Sequence, residues 1–197
     1  MTALVMWSGG LDSTASLVYW LRYTRDPVLA LHIRLINHED RWAAEGHAVA
    51  RQKAWICANI RDFTLKTITI DLNGSDLHPP DMASVVYAAG LVVRDRPDVS
   101  SILIGTCVEE GHNDERWNAF ARMIEGAAWP RPRMPALCMP CAHMTKAKEL
   151  EFVGPELAQM FWSCRTPVRT EKGWEECGRC ETCVRIDEAR KSASFDR

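Results

Sequence analysis

The sequence predicts an α/β fold in which a Rossmann-like parallel sheet is covered by helices. Short apolar runs alternate with segments of helical hydrophobic periodicity, which is the pattern of strand–helix–strand units. The first apolar run, residues 2–7, leads directly through a Ser/Gly turn into a helical segment. A chain of 197 residues with 47% hydrophobic residues is long enough for one main core and a small appendage.

Four apolar runs are predicted as the strands of this sheet, because each is short and the third alternates threonine with isoleucine. They cover residues 2–7, 28–36, 65–72 and 101–106. In open α/β sheets, ligands bind beyond the carboxyl ends of the strands. The segments that follow these runs are therefore expected to border the site.

The helices are predicted where apolar residues recur at helical spacing between and after the strands. They cover residues 13–25, 42–60, 82–94, 116–126, 145–153 and 155–161. Prolines and polar runs mark the breaks between these elements. Loops are predicted at residues 78–80 and 109–115, and the proline-rich residues 130–135 are predicted as an extended connector.

The turn after the first strand carries the strongest functional signal. Gly9 and Gly10 allow the main chain to approach a phosphate closely, and a helix start offers N–H groups to an anion. No Gly-Lys-Ser/Thr and no GxGxxG occurs here, so neither a Walker loop nor a dinucleotide fingerprint is predicted. The predicted nucleotide-binding residues are Trp7, Ser8, Gly9, Gly10, Leu11, Asp12, Ser13 and Thr14.

The composition argues against several classes of function. The formal net charge of -2 gives no polycationic surface, so direct binding of nucleic acid is not expected. No apolar run reaches the length of a membrane span, and no basic-then-apolar leader precedes the first strand. A cytoplasmic enzyme is the plain expectation. Eight cysteines in such a protein indicate metal binding or catalysis rather than disulfides.

The last segment, residues 163–197, is rich in cysteine and charge, and it is predicted as a small metal-binding region after a domain of residues 1–162. The spacing of four of its cysteines allows the thiolates to converge on one ion, and an all-sulfur set suits structural Zn²⁺. The predicted ligands are Cys164, Cys177, Cys180 and Cys183. An iron–sulfur cluster and unligated thiols are the alternatives.

A second cysteine pair, Cys138 and Cys141, forms a C-x-x-C spacing with His143 close by. Such a spacing occurs in redox sites and metal sites. Neighbouring prolines and the lack of partner cysteines favour an ordinary structural role for this pair.

The string Ser-Gly-Gly-Leu-Asp-Ser at residues 8–13 resembles the PP-loop of ATP pyrophosphatases, which activate an oxygen as an adenylate and release pyrophosphate. Together with the cysteine tail, it resembles the 7-cyano-7-deazaguanine synthase (QueC) family over nearly the whole chain. The further matching segments are Ile104-Gly105-Thr106, Asp114-Glu115-Arg116, Thr145-Lys146, Trp162-Ser163-Cys164 and residues 177–183. The resemblance implies the adenine nucleotide alpha hydrolase type of Rossmann-like fold.

Enzymes of this family use ATP to convert 7-carboxy-7-deazaguanine and ammonia to the nitrile. The resemblance implies an acyl adenylate, an amide, and a second adenylation before the nitrile forms. The implied catalytic residues are Asp12, Ser13, Lys146 and Arg116, and Gly105 joins the nucleotide-binding residues. It also implies Mg²⁺ with ATP, structural Zn²⁺, small-molecule substrates and a homodimer.

Two segments depart from the family pattern. Within residues 37–45, Arg41 and Glu45 match, but Trp42 stands where the family has a histidine. Residues 79–82 lack the Arg-Asn pair of the family. The alternative is therefore a divergent PP-loop enzyme that adenylates another carboxylate or a nucleobase, either forming an amide or modifying tRNA. A third hypothesis, a zinc-bearing nucleotide-binding module without turnover, does not explain a complete pyrophosphate cradle.

Overall fold

The computed structural model describes residues 1–73, 81–111, 113–171 and 173–194. The strands of its main sheet are β1 (Thr2–Met6), β2 (Val28–Ile36), β3 (Thr64–Asp71), β4 (Val99–Ile104) and β5 (Ala136–Cys138). The helices are α1 (Leu11–Tyr23), α2 (Trp42–Asn59), α3 (Asp81–Asp95), α4 (Asp114–Ala127), α5 (Lys146–Val153), α6 (Pro155–Ala158) and α7 (Glu181–Ser192). Strands β6 (Val168–Thr170) and β7 (Gly173–Glu175) form a hairpin between α6 and α7. The loop predicted at residues 78–80 lies outside the described residues.

The main sheet confirms the predicted α/β fold. Its described strands are parallel and lie in the order β3–β2–β1–β4–β5. The chain winds outward from β1 through β2 in one direction and continues from β4 in the other. Such a reversal opens a crevice at the carboxyl ends of the two central strands, where ligands bind in open α/β sheets. The turn after β1 and the segment after β4 meet at this crevice.

The side chains of β1 alternate between two hydrophobic layers. Ala3 and Val5 belong to a layer shared with α1, α2, α5, α6 and α7, whereas Leu4 and Met6 belong to a layer shared with α3 and α4. All four side chains are 5% exposed or less. The central strand is therefore covered on both faces, as a parallel sheet requires.

The predicted helices and strands are present, with bounds that differ by up to three residues. Helix α4 begins two residues before its predicted start because the side chain of Asn113 caps it, accepting a hydrogen bond from the Arg116 N–H at 2.9 Å. The predicted loop at residues 109–115 is correspondingly shorter. The sequence did not predict β5, the β6–β7 hairpin or α7.

Helix α7 joins the cysteine region to the rest of the chain. Ile186 is 1% exposed and lies with Ala189 in the same hydrophobic layer as α1 and α5. Beyond the helix, the Ser194 N–H donates a hydrogen bond to Glu151 Oε1 at 2.6 Å. The region after residue 162 therefore packs on the α/β core, and this places the first turn of α7 beside the crevice.

Among the described helices, none combines the length and the apolar composition needed to cross a bilayer.

Candidate functional site

A cavity of about 350 Å³ opens at the carboxyl ends of β1 and β4. Its walls come from the turn after β1, the segment after β4, the start of α5 and the region around the cysteines. Folding thus brings together residues that are distant in the sequence. The predicted site residues that line the cavity are Trp7, Ser8, Gly10, Asp12, Ser13, Gly105, Arg116 and Lys146.

Gly9 determines the shape of the turn after β1. Its φ of +84° lies in the left-handed region that favours glycine, and an added Cβ would lie 2.9 Å from Val49 Cγ2. The Gly9 carbonyl accepts hydrogen bonds from Gln52 Nε2 at 2.7 Å and from the Trp162 N–H at 2.9 Å. Helix α2 and the segment before Cys164 therefore hold the turn in place without any ligand.

Hydroxyl groups and helix N–H groups converge on the inner side of this turn. Ser13 Oγ donates to the Gly10 carbonyl at 3.2 Å and accepts from the Ser8 N–H at 3.3 Å. The hydroxyl oxygens of Ser8 and Ser13 lie 3.1 Å apart. The N–H groups of Leu11, Asp12 and Ser13 lie in the first turn of α1 and have no acceptor within the helix. This arrangement is suited to binding a phosphate group.

Three of the predicted nucleotide-binding residues support the turn from the protein interior. Trp7 and Thr14 are 1% exposed, and Leu11 is fully buried. The Thr14 hydroxyl donates to Gln52 Oε1 at 2.6 Å and accepts from Trp7 Nε1 at 3.1 Å. Both hydrogen bonds of the Thr14 hydroxyl are therefore made within the protein and hold the turn in position, whereas Trp7 forms part of the cavity wall.

Gly105 lies where the segment after β4 touches the first turn of α1. An added Cβ would lie 2.4 Å from the backbone nitrogen of Ser13 and 2.5 Å from the backbone carbonyl carbon of Asp12. Only a residue without a Cβ allows this approach. Gly105 therefore supports the turn after β1 through backbone contact, and its direct contact with a nucleotide stays a prediction.

Asp12 and Lys146 form an ion pair beside the turn. Lys146 Nζ lies 2.7 Å from Asp12 Oδ1, and the two side chains are 6% and 22% exposed, respectively. Burial is the largest single effect and would raise the pKa of Asp12, but the charge of Lys146 and contacts with further polar neighbours together lower this pKa below its ordinary value. Burial would lower the pKa of Lys146, but Asp12 raises it above its ordinary value. Both side chains are therefore charged at neutral pH.

The backbone around Lys146 fixes the position of its ammonium group. Lys146 is the first residue of α5, and the Thr145 side chain caps this helix by accepting a hydrogen bond from the Lys148 N–H at 3.3 Å. The Lys146 N–H donates to Glu109 Oε1 at 2.9 Å. The segment after β4 and the start of α5 are therefore tied together at the cavity.

Glu149 is a buried carboxyl group that the sequence analysis did not single out. It is fully buried, and neither of its oxygens has a hydrogen-bond partner among the described residues. A Glu149 oxygen, an Asp12 oxygen and Cys107 Sγ all lie within 4.8 Å of one another. Burial, and then the charge of Asp12, raise the pKa of Glu149 to about 11. This carboxyl is therefore protonated at neutral pH. The sequence feature that could have identified Glu149 as a site residue is its position one turn after Lys146 in the same helix.

Glu149→Gln is expected to stabilise the protein, with a gain that grows as pH rises. The folded chain keeps a proton on Glu149 that the unfolded chain releases above a pKa of 4.5, so stability falls from there towards pH 11. Glutamine has nearly the same shape as a protonated glutamate, and because its amide does not titrate, folding of the variant requires no uptake of a proton at this position. We expect a gain of at least about 1 kcal/mol in the free energy of unfolding at about pH 8, and a smaller gain at about pH 5, measured by urea denaturation.

The matched control is Glu156→Gln, because Glu156 is exposed in the first turn of α6. This control is expected to show no gain that depends on pH. A Glu149→Gln variant with wild-type stability at both pH values would show that Glu149 is ionised in the folded protein.

Arg116 lies exposed at the rim of the cavity. Its guanidinium group stands 5.4 Å from the ring centroid of Phe120 and 5.9 Å from that of Trp117. It lines both the main cavity and an adjoining one of about 540 Å³. This position suits an anionic group of a ligand at the rim. The catalytic role of Arg116 stays a prediction.

Another wall of the cavity carries a set of charged side chains that we call the wall network: Glu39, Arg41, Glu45, Asp81 and Arg165. Arg41 Nε lies 3.0 Å from Glu39 Oε2 and 3.2 Å from Glu45 Oε1, and Arg41 also pairs with Asp81. Burial raises the pKa of Glu45 to about 7 although Arg41 opposes this shift. The family resemblance pointed to Arg41 and Glu45, whereas the other members were not predicted.

The four predicted metal ligands converge at the other end of this wall. The sulfur atoms of Cys164, Cys177, Cys180 and Cys183 all lie within 4.8 Å of one another, and all four thiols are free. Cys177 Sγ and Cys183 Sγ are 3.9 Å apart. A tetrahedron with Zn–S arms of about 2.3 Å has corners about 3.8 Å apart, so the four sulfurs fit a single ion.

Local hydrogen bonds favour the thiolate form of Cys177, whereas burial raises the pKa of Cys164 and Cys183. The Thr166 hydroxyl donates to Cys177 Sγ at 3.1 Å, and this bond is the main cause that lowers the pKa of Cys177 to about 5. The Cys177 N–H donates in turn to Cys164 Sγ at 3.3 Å. Gly178, with a φ of +68°, provides the turn between the ligands. A thiolate is the form that binds a metal ion.

Cys138 and Cys141 lie apart from these four cysteines. Cys141 is fully buried, and burial raises the pKa of its thiol to about 12. Cys138 ends β5, and burial raises its pKa as well. Neutral thiols of this kind favour the structural role over redox chemistry.

Comparison with known proteins addresses the fold. No protein-family model matches the sequence, and no match was found among curated proteins. Among solved structures, the chain is similar to the U34-tRNA thiolase NcsA from Methanococcus maripaludis with its 4Fe–4S cluster, at 14% identity and a TM-score of 0.54, over 98% of this chain and 64% of that one. It also aligns with a predicted subunit of tRNA methyltransferase from Methanocaldococcus jannaschii, at 12% identity and a TM-score of 0.39, over 100% of this chain and 92% of that one.

The likeness to NcsA extends over almost all of this chain, which spans 64% of the length of that protein. At 14% identity, this likeness shows a shared fold. The reaction that the chain catalyses has to be argued from the residues of its own site. The chain is thus an α/β protein with the fold of NcsA, built on a five-stranded parallel sheet and carrying a four-cysteine cluster able to hold a metal ion.

Proposed function

We propose that this chain is an ATP-dependent enzyme of the PP-loop type, which activates an acceptor oxygen as an adenylate and releases pyrophosphate. The observation that carries this proposal is the position of the Asp12–Lys146 ion pair, directly beside the hydroxyl and N–H donors at the start of α1. A phosphate group in this turn would meet helix N–H groups, two serine hydroxyls and one buried ammonium.

In the proposed step, an acceptor oxygen attacks the α-phosphorus of ATP. The bond from that phosphorus to the bridging oxygen breaks, and pyrophosphate leaves with the electron pair. The serine hydroxyls of Ser8 and Ser13, the N–H groups of α1 and the Lys146 ammonium stabilise the charge on the leaving group. Mg²⁺ that accompanies ATP would neutralise phosphate oxygens, and Asp12 is the residue placed to hold it.

The acceptor that the family resemblance favours is 7-carboxy-7-deazaguanine, with ammonia as the nitrogen donor. Its carboxylate would form the acyl adenylate, and ammonia would displace AMP to leave an amide. A second ATP would activate the amide oxygen, and loss of AMP and a proton would give the nitrile. Support comes from Arg116 at the rim, whose exposed guanidinium group suits the carboxylate of a small acid.

A nucleobase of tRNA is the second candidate acceptor. The similarity to NcsA, which is described as a tRNA thiolase, favours it. The formal net charge of -2 argues against extensive contact with an RNA backbone. The absence of direct nucleic-acid binding and the formation of a homodimer stay predictions for this chain.

One assay separates these candidates. The purified protein is incubated with Mg-ATP and either 7-carboxy-7-deazaguanine with ammonium or unmodified tRNA, while AMP and pyrophosphate are measured. Pyrophosphate release that requires the deazapurine, with the nitrile seen by mass spectrometry, supports the first acceptor, and tRNA-dependent release supports the second. Acceptor-dependent release of ADP and phosphate instead would contradict the proposed adenylation.

We further propose that the four cysteines hold structural Zn²⁺. In an iron–sulfur cubane each thiolate binds a different iron, which separates the sulfurs more widely than ligands of one ion. A separation of 3.9 Å between Cys177 Sγ and Cys183 Sγ therefore favours a single ion. The ion would join the β6–β7 hairpin region to α7, which begins immediately after Cys180.

Cys180→Ser is expected to lower zinc content and stability together. Loss of one ligand weakens a site whose binding energy contributes to folding, so the free energy of unfolding should fall by about 3 kcal/mol or more. For a chain of this size, that corresponds to a decrease of about 6–12 °C in Tm. Zinc is measured by atomic emission and Tm by calorimetry.

Cys57→Ser provides the matched control, because Cys57 is a free thiol in α2 that lies outside the cluster. It is expected to retain full zinc. If Cys180→Ser retained full zinc and the wild-type Tm, the cluster would not be a metal site.

A further inference from the structure

We propose that Arg165 is a positioning residue through which the metal-bound state of the four cysteines controls the order of the cavity wall. The proposal requires a metal ion at the cysteines, but it does not depend on the ATP chemistry proposed above. It rests on the contacts that Arg165 makes at its two ends, its backbone and its guanidinium group.

The backbone of Arg165 is held by the cysteine cluster on both sides. Cys164, the preceding residue, is 1% exposed, and its sulfur accepts a hydrogen bond from the Cys177 N–H at 3.3 Å. The following residue, Thr166, donates its hydroxyl to Cys177 Sγ at 3.1 Å. A metal ion that fixes Cys164 and Cys177 would therefore fix the stretch of chain that carries Arg165.

The guanidinium group of Arg165 reaches two parts of the cavity wall that are far away in the sequence. Its Nη1 atom lies 3.3 Å from Glu39 Oε1, in the segment after β2, and 3.3 Å from Asp81 Oδ2, at the start of α3. Both carboxylates also pair with Arg41. Arg165 is therefore the member of the wall network that connects the network to the metal ligands.

The charges of the wall network explain why this connection matters. Its two arginines face three carboxylates, so loss of the Arg165 charge would leave Arg41 alone between Glu39, Glu45 and Asp81. The side chain of Arg165 is 53% exposed, while those of Glu39 and Asp81 are 18% and 21% exposed. The carboxylates are thus shielded from water and depend on the arginines for neutralisation. Without Arg165 we expect them to move apart, which loosens the wall.

Arg185 offers a contrast, because it also lines the cavity but pairs with Glu181 one turn earlier in the same helix. Among the residues that the structure describes, this ion pair joins no second segment to the wall. Arg185→Ala is therefore the matched control for Arg165→Ala.

The experiment measures hydrogen–deuterium exchange of residues 38–47 and 81–86 in protein with one equivalent of Zn²⁺ and after chelation. We expect chelation to speed exchange in these segments about three- to five-fold in the wild type. This is the increase in exchange rate expected when a segment loses the stabilisation of one exposed ion pair. Metal-loaded Arg165→Ala should already exchange at the faster rate, and chelation should add no further change there. Arg165→Lys should restore part of the protection, and Arg185→Ala should behave as the wild type.

Strands β1 and β4 serve as the internal reference, because they report whether the fold survives chelation. If chelation unfolds the wild type, the comparison of metal-loaded Arg165→Ala with metal-loaded wild type decides the question alone. Wild-type exchange of residues 38–47 in metal-loaded Arg165→Ala would overturn the proposal. The readout contains no catalytic step, so its failure and the failure of the ATP assay are distinguishable.

Discussion

Lys146→Met is expected to lower the rate of acceptor-dependent pyrophosphate release by at least about 10³-fold, or about 4 kcal/mol in the activation free energy. The Lys146 ammonium is almost fully buried and lies 2.7 Å from Asp12 Oδ1 beside the turn after β1, where we place the leaving pyrophosphate. A preorganised charge in such a place stabilises a departing pyrophosphate far more than a hydrated charge would. Methionine keeps an unbranched side chain that ends one atom earlier, so the substitution removes the ammonium group while preserving most of the aliphatic packing.

The same substitution is expected to reduce stability, because it leaves the Asp12 carboxylate without its cation. Removing one partner of a buried ion pair costs about 3–5 kcal/mol. Since Asp12 is 22% exposed, we expect a loss near the lower end, about 3 kcal/mol, in the free energy of unfolding. Activity is therefore measured at a temperature well below the Tm of the variant, so that folded protein is compared with folded protein.

Lys148→Met is the matched control for this substitution. Lys148 lies in the same helix but is exposed. Its replacement is expected to leave both the rate and the stability near their wild-type values. If folded Lys146→Met released pyrophosphate at the wild-type rate, the leaving group would not bind beside the Asp12–Lys146 pair.

Gly105→Ala is expected to abolish nucleotide binding and to destabilise the fold. The new Cβ would lie 2.4 Å from the Ser13 backbone nitrogen, and the atoms it meets are main-chain atoms that cannot rotate away. Either α1 or the segment after β4 must shift, and the shift distorts the turn that carries Ser8 and Gly10. Overpacking of a well-packed site costs about 1–3 kcal/mol, and main-chain overlap places this substitution at the upper end.

The measurements are ATP affinity by isothermal titration calorimetry and the free energy of unfolding by urea denaturation. Gly46→Ala is the control, because nothing lies within 4 Å of an added Cβ at this position in α2. In a helix interior, that change is expected to stabilise by about 0.5–1 kcal/mol and to leave ATP affinity unchanged. Wild-type ATP affinity in Gly105→Ala would show that the turn does not hold the nucleotide.

Local signals explain why much of the fold was predictable. The turn after β1 is specified by adjacent residues, so its two glycines and the following helix could be recognised without knowledge of distant contacts. Strand β2 was predicted with its observed bounds because seven of its nine consecutive residues are hydrophobic. The convergence of the four cysteines was predictable because three of them are close neighbours in the sequence.

Long-range contacts explain what was missed. Strand β5 has only three residues and follows a proline-rich connector, so its apolar pattern is too short to stand out. Helix α7 is highly charged, and its buried residues Cys183, Ile186 and Ala189 are spaced three apart within a polar sequence. Glu149 resembles any polar residue of a helix until the fold places Asp12 and Cys107 beside it. The family resemblance singled out Asp12 and Lys146 separately, and their pairing became visible only in the folded chain.

The burial of Ile186 and Ala189 has a consequence for the synthesis of the protein. These residues complete the hydrophobic layer that contains Ala3 and Val5 of the central strand. On the ribosome, β1 emerges before α7 has been translated, so one face of the nascent sheet stays partly uncovered until α7 follows. The finished cleft therefore forms only after α7 has emerged, and until then the growing polypeptide presents an apolar surface of the kind that chaperones shield.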